Sequence, residues 1–115
     1  MLSNRLPLCF LLACLCACSA SPIHATDVCP AQGKSTLRSV DVFDGSPEEM
    51  ATLVPDEAHE RSGYWQLGYV YDAGRFVSIR CKYADGSTVD QKLAHKVGRC
   101  DYKIDARKTL SLRCQ

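Results

Sequence analysis

The chain carries 115 residues, with 14 Lys and Arg against 13 Asp and Glu, a formal net charge of +1, and eight cysteines. That length makes one small globular domain, and no internal repeat suggests an array. So even a charge balance, with no reader motif beside it, argues against a nucleic-acid binder.

Residues 1–25 read as a secretory signal peptide. A single positive charge at Arg5 precedes the apolar run LPLCFLLACLCAC, and small residues lead to Ile23-His24-Ala25. The run is too short to be a stable anchor, which takes about 20 apolar residues. Cleavage after Ala25 leaves a free periplasmic or secreted domain over 26–115. A second route is open, because Leu15-Cys16-Ala17-Cys18 resembles a bacterial lipobox and would make Cys18 the lipid-bearing N-terminus of an outer-membrane lipoprotein. Cys14 and Cys16 depart from that pattern, which carries aliphatic or small residues there.

The exported domain keeps Cys29, Cys81, Cys100 and Cys114. Small exported domains bury too little surface to be secure by core alone, so two disulfides are expected, each worth about 2–4 kcal/mol. A four-cysteine zinc site is the alternative, but spacings of 52, 19 and 14 residues lack its Cys-x-x-Cys knuckles. Three pairings exist; Cys29 with Cys81 and Cys100 with Cys114 is favoured, because the latter two flank one hairpin.

In chain order, Thr26 to Lys34 is irregular, with Cys29-Pro30 tying an extended arm onto the sheet and a turn at Gln32-Gly33. Thr36 to Phe43 alternates around Val40 and Val42 as a half-buried strand, stopped by Asp44-Gly45. Ser46-Pro47-Glu48-Glu49 has the marks of a helix start: a capping serine, a glutamate three residues on, and a proline whose missing N–H costs nothing. The expected helix runs about two turns to Pro55 and packs Met50, Leu53 and Val54 on the sheet. Pro55 to Ser62 reads as an exposed polar loop.

Tyr64 to Gln115 reads as an antiparallel meander of five short strands. Trp65, Leu67, Tyr69 and Tyr71 alternate with Gln66, Gly68 and Val70. Val77, Ile79, Cys81 and Tyr83 alternate with Ser78, Arg80 and Lys82. Asp85-Gly86 is a hairpin turn into Thr88 to Leu93. Lys96 to Ile104 carries Cys100, Tyr102 and Ile104 on one face, and the turn Asp105 to Lys108 returns through Leu110, Leu112 and Cys114. The fold class is α+β, mainly an antiparallel β meander of about five to six strands with one short helix and two disulfides. The sheet is covered on one side by helix and arm, unless it closes into a small barrel.

Charge is segregated within the exported part. Asp41 to Glu60 holds seven acids and no Lys or Arg, whereas from Arg61 onward 11 basic residues face five acids. A solvated loop with helix N-terminal charges is the plain account. The sharper one makes Asp56, Glu57 and Glu60 an acidic edge that steers a cationic partner onto the protein.

No catalytic, cofactor or metal residues emerge. His59 and His95 lie in no ligand spacing and beside no nucleophile motif, and read as exposed loop or turn residues. Glu48 and Glu49 are explained by helix capping, and disulfide-bonded cysteines offer no thiolate. Trp65 with Tyr64, Tyr69 and Tyr71 could form an aromatic recognition surface, but a tryptophan at a strand start is more often core.

Cys29-Pro30, the run Val42-Phe43-Asp44-Gly45-Ser46-Pro47-Glu48-Glu49 through Leu53-Val54-Pro55-Asp56, the lone Trp65, Cys81-Lys82-Tyr83, and the closing Cys100 and Cys114 resemble a known family. It comprises small exported, four-cysteine proteobacterial proteins of unknown function, with enterobacterial members encoded near type VI secretion genes. The resemblance spans nearly all the exported domain. Leu93-Ala94 departs from the family's Leu-Pro pair. It implies no reaction and no catalytic residues, but raises a periplasmic partner such as a cell-wall-degrading enzyme.

The functional expectation is a non-enzymatic periplasmic binding or inhibitor protein, immunity-like, that plugs a partner's cleft. The alternative is an envelope structural or maintenance protein, membrane-bound only if lipidated through Cys18.

Overall fold

The computed structural model describes residues 26–115, so the signal peptide over 1–25 and Cys18 lie outside the described residues. Period-two alternation builds most of it. Val77, Ile79, Cys81 and Tyr83 all point into the core from one strand, and Leu110, Leu112 and Cys114 do so from another.

The described residues form eight strands: β1 (Thr26–Asp27), β2 (Leu37–Asp44), β3 (Glu57–Ala58), β4 (Ser62–Gln66), β5 (Val77–Tyr83), β6 (Thr88–Leu93), β7 (Arg99–Ile104) and β8 (Leu110–Cys114). Six have five residues or more, and β1 and β3 are two-residue pieces. All pairings are antiparallel, and the strands form two sheets, β1-β8-β7-β4-β3 and β2-β5-β6. Mainly antiparallel β with one short helix and two disulfides is therefore the architecture.

The layering differs from a sheet covered by helix and arm. Val42, Val77, Ile79 and Cys81 of one sheet share a single core with Trp65, Cys100, Leu110 and Leu112 of the other. Each sheet is the other's cover, because each has one apolar face and neither helix nor arm is large enough to bury it.

The expected helix over Ser46–Pro55 is a single 3-10 turn, Pro47–Glu49. Its start signal is real: the Ser46 amide donates to Glu49 Oε2 at 3.1 Å. Propagation fails at Met50, which turns left-handed at φ 58°. Ala51–Leu53 then runs back along β2, where the Asp44 amide donates to the Ala51 carbonyl at 2.9 Å and the Leu53 amide to the Val42 carbonyl at 2.7 Å. Two turns of isolated helix are marginal, and pairing with a strand already in place satisfies the same backbone groups. Met50 and Val54, meant for the sheet, are 81% and 83% exposed. The Pro55–Ser62 loop contains β3, paired through Glu57↔Tyr64 and Ala58↔Gly63.

The α-helix among the described residues is α1, Gly68–Asp72, which overlaps the run Trp65 to Tyr71 expected as strand. Leu67 and Val70 are fully buried while Tyr69 is 57% exposed, so the helical spacing i, i+3 overrides alternation. The core explains the choice, since the chain must turn here from the five-stranded sheet into β5. Tyr71 anchors the turn, its hydroxyl donating to the Leu93 carbonyl at 2.8 Å. Burial pushes its pKa up.

Cys29 is bonded to Cys81 and Cys100 to Cys114. The first ties the N-terminal arm to β5, while β1 pairs with β8 of the other sheet, so the arm straddles both layers. The second joins residues directly opposite one another on β7 and β8.

Gly63 fixes the β3–β4 hairpin. A Cβ there would lie 2.5 Å from Tyr102 Cε1 and closer still to the Glu57 carbonyl oxygen. Gly63→Ala is expected to destabilise the domain by about 1–3 kcal/mol, read as a lower urea midpoint. A midpoint equal to that of the unmodified protein would show that the β3 backbone at Glu57 and the Tyr102 ring can both shift to admit a methyl group.

Candidate partner-binding surface

The seven acids between Asp41 and Glu60 do not form one free patch. Asp41 binds Lys82 Nζ at 2.9 Å, and Asp44 and Glu49 share Arg75 at 2.7 Å each. The Asp44 hydrogen bond, and next the charge of Glu49, hold Arg75 further into its charged form. Gly45 permits this cluster: it sits at φ 90°, and a side chain there would run into the Glu49 carboxylate and the Arg75 guanidinium. Asp44 and Glu49 thus tie down the loop between β2 and β3, and Asp41 spans from β2 to β5; exposed pairs of this kind add little net stability.

Asp56, Glu57 and Glu60 do come together, on the β3–β4 hairpin at the edge of the five-stranded sheet. Their roles divide. Asp56 Oδ2 accepts the Gln66 amide at 2.6 Å and so helps hold β4 in place. Among the described residues Glu57 forms one ion pair, His59 Nε2 to Oε1 at 3.5 Å with both side chains more than half exposed, and its charge also acts on Arg99. Glu60 is exposed and makes no ion pair among the described residues. The hairpin thus presents two exposed carboxylates, Glu57 beside His59 and Glu60 without an ion pair, and a third, Asp56, held by the backbone. His59 belongs to this hairpin, whereas His95 follows β6, so the two histidines serve different elements.

A second feature adjoins the hairpin. Between the β2 edge and the five-stranded sheet runs a largely apolar groove of about 390 Å³, lined by Val40, Leu53, Val54, Trp65, Tyr102 and Leu110. Trp65 is its floor and is core, 5% exposed, with Nε1 donating to the Leu53 carbonyl at 3.1 Å and the Tyr102 ring tilted against it at 5.4 Å. The aromatic residues do not assemble into one recognition surface. Tyr64 lies under Arg99, whose guanidinium sits 3.6 Å from its ring centre, and Tyr69 projects from α1. The groove is hidden from the sequence, where the helix start at Ser46–Glu49 puts Leu53 and Val54 on a helix face. The available signal was Val54-Pro55, an apolar residue held extended by the following proline.

A family model described as the type VI secretion system Tli immunity protein matches residues 32–115. The chain belongs to that family. The match covers β2 through β8 and three of the four disulfide cysteines, leaving Cys29 and β1 before it. It gives the resemblance read from the residues a function: a Tli immunity protein is a binding protein of type VI secretion. No curated protein and no solved structure matches the chain. In this Tli-family domain the acidic hairpin and the groove share one rim, since Pro55 lines the groove and leads directly into Asp56.

Proposed function

We propose that this protein is a non-enzymatic inhibitor that acts in the periplasm, where it binds a toxin effector of type VI secretion and blocks it by contact. The family match over residues 32–115 carries this reading. Two disulfides support the compartment, because such bonds persist where the surroundings are oxidising. Glu57 and Glu60 of the β3–β4 hairpin, with Asp56 setting its shape, are the proposed first contact for a cationic face on the effector. Exposed rim charges of this kind mainly raise the rate of productive encounter.

The effector is proposed to be a cell-wall-degrading enzyme. Cleavage of purified peptidoglycan by the cognate effector, halted by one equivalent of the oxidised protein, is the expected result. An effector that leaves the wall intact while cleaving another envelope component would change the substrate class and keep the inhibitor.

The hairpin has its own test. Glu57→Lys/Glu60→Lys is expected to weaken effector binding about tenfold and to flatten the salt dependence of association. Unchanged affinity would remove the hairpin from the interface. Asp56 is left out of that variant because reversing it would also release the Gln66 amide.

For the leader, the mass of the mature protein decides. A chain starting at Thr26 is the proposed form, and acyl mass on Cys18 would make it a lipoprotein.

A further inference from the structure

Val40 lies on an open sheet edge that faces the groove. β2 is the outer strand of its sheet and pairs on one side with β5 alone. The Val42 carbonyl points away from β5, since it accepts the Leu53 amide. Alternation along an antiparallel strand turns the Val40 N–H and C=O to that same outer side. Ala51–Leu53 covers this side only from Val42 onward. Even there the cover is incomplete, because the Leu53 carbonyl takes Trp65 Nε1 in place of the Val42 amide. Alternation turns the Val40 N–H, the Val40 carbonyl and the Val42 N–H away from the β5 ladder, and no loop or turn hydrogen bond among the described residues reaches them.

Unpaired backbone beside apolar side chains is a template for another extended chain, and native sheets ordinarily guard against it. The other outer strand of this sheet, β6, carries Asp90 and Lys92 among its exposed side chains. On β2 the charges flanking Val40 are both engaged, Arg38 with the Arg107 and Lys108 carbonyls and Asp41 with Lys82. The groove next to Val40 is apolar, and Val54 at its lip is almost fully exposed.

Charge marks one end. Arg38 Nη1 donates to the Arg107 and Lys108 carbonyls at 3.2 Å each, which gathers three cationic residues where β2 meets the β7–β8 turn. None of the three has an acidic partner among the described residues. Asp105 is the carboxylate of that turn, and its Oδ1 is occupied by the Arg107 and Thr109 amides. Asp41, also on the groove, is neutralised by Lys82.

We infer that the β2 edge at Val40 takes an extended segment of the effector as an added strand, with apolar side chains of that segment in the groove and an acidic residue toward Arg38, Arg107 and Lys108. Main-chain hydrogen bonds would give such a contact affinity, and the groove would select alternate side chains. This mode of contact rests on the immunity reading above and names the partner's binding element.

The test is calorimetric titration of the cognate effector into the oxidised protein and three variants. Val54→Glu places a charge on the groove's exposed lip, Arg107→Glu reverses the cationic end, and Val40→Pro removes the outward N–H. Val54→Glu and Val40→Pro are each expected to weaken binding at least tenfold, and Arg107→Glu several-fold, with the melting temperature of Val54→Glu and Arg107→Glu unchanged. Should Val40→Pro fail to fold, Val54→Glu and hydrogen exchange still decide. In the complex with the unmodified protein, the Val40 amide is expected to become protected from exchange. Full affinity in Val54→Glu, with a Val40 amide that exchanges as in the free protein, would overturn strand addition while leaving the immunity reading standing. An unmodified protein that does not bind the effector at all would overturn both.

Discussion

Replacing Cys29 and Cys81 together by alanine is expected to lower stability by about 4 kcal/mol, the larger of the two disulfide effects. The separation is 52 residues, against 14 for Cys100–Cys114. The longer loop restricts the unfolded chain more, and the shorter bridge is worth about 3 kcal/mol on the same basis. Native-state position strengthens the ordering. Cys29–Cys81 is the covalent link between the N-terminal arm and β5, whereas Cys100 and Cys114 are already neighbours in a hydrogen-bonded strand pair. Tyr83 adds a second tie for the arm, its hydroxyl donating to the Pro30 carbonyl. That single hydrogen bond contributes about 1 kcal/mol and cannot replace the bridge. A domain of this size has a total stability of roughly 5–15 kcal/mol, so the double variant should be substantially unfolded in moderate urea. Trp65 is the one tryptophan and sits in the core, so its fluorescence reports the transition. A shift smaller for Cys29/Cys81 than for Cys100/Cys114 would show that the arm contributes little to the folded state.

Trp65→Ala is expected to cost about 3–5 kcal/mol. The ring is 5% exposed and belongs to the core shared by both sheets. Truncation would empty the seam where β4 faces β2, remove the tilted contact with Tyr102, and leave the Leu53 carbonyl without its donor. Trp65→Phe separates these contributions. It keeps an aromatic ring in the seam but deletes Nε1, and should cost roughly 1–3 kcal/mol for the lost hydrogen bond and the smaller ring. Because the tryptophan is removed, both variants are followed by circular dichroism under urea. A loss below about 1 kcal/mol for Trp65→Ala would mean that Leu53 and Tyr102 collapse into the vacated space. Leu53 borders that space, and only its carbonyl is released in the variant, since its amide stays bonded to Val42.

The two features that bear on function were unequally visible. Asp56, Glu57 and Glu60 stood out by charge alone, but only the structure divides them, giving Asp56 to the Gln66 amide and leaving Glu57 and Glu60 to solvent. The rest of the acidic segment looked like the same feature. It is not, because Arg75 and Lys82, 31 and 41 residues away from Asp44 and Asp41, return to pair with Asp44, Glu49 and Asp41, leaving Glu48 as the one acid there without an ion pair among the described residues. The open edge at Val40 has no mark in its own residues, since whether a strand is outer or inner depends on which strands the rest of the chain supplies.

What the sequence determined by itself were quantities that depend on neighbours a few residues apart. The period-two faces of β5, β7 and β8, the hairpin turn at Asp85-Gly86 and the capping contact between Ser46 and Glu49 are all of this kind, whereas in β2 the expected alternation ends at Phe43, which is buried beside Val42. The even count of cysteines beyond the leader belongs with them. Tertiary structure alone decided what competes for those neighbours. Ser46–Pro55 has a valid helix start and becomes one 3-10 turn because β2 offers its backbone better partners. Trp65–Tyr71 alternates like a strand and becomes β4 followed by α1, because burying Leu67 and Val70 together requires the turn between sheets. Local propensity is worth tenths of a kcal/mol per residue, whereas burying one large apolar side chain is worth about 1.5–3 kcal/mol. Where the two disagreed in this chain, burial won.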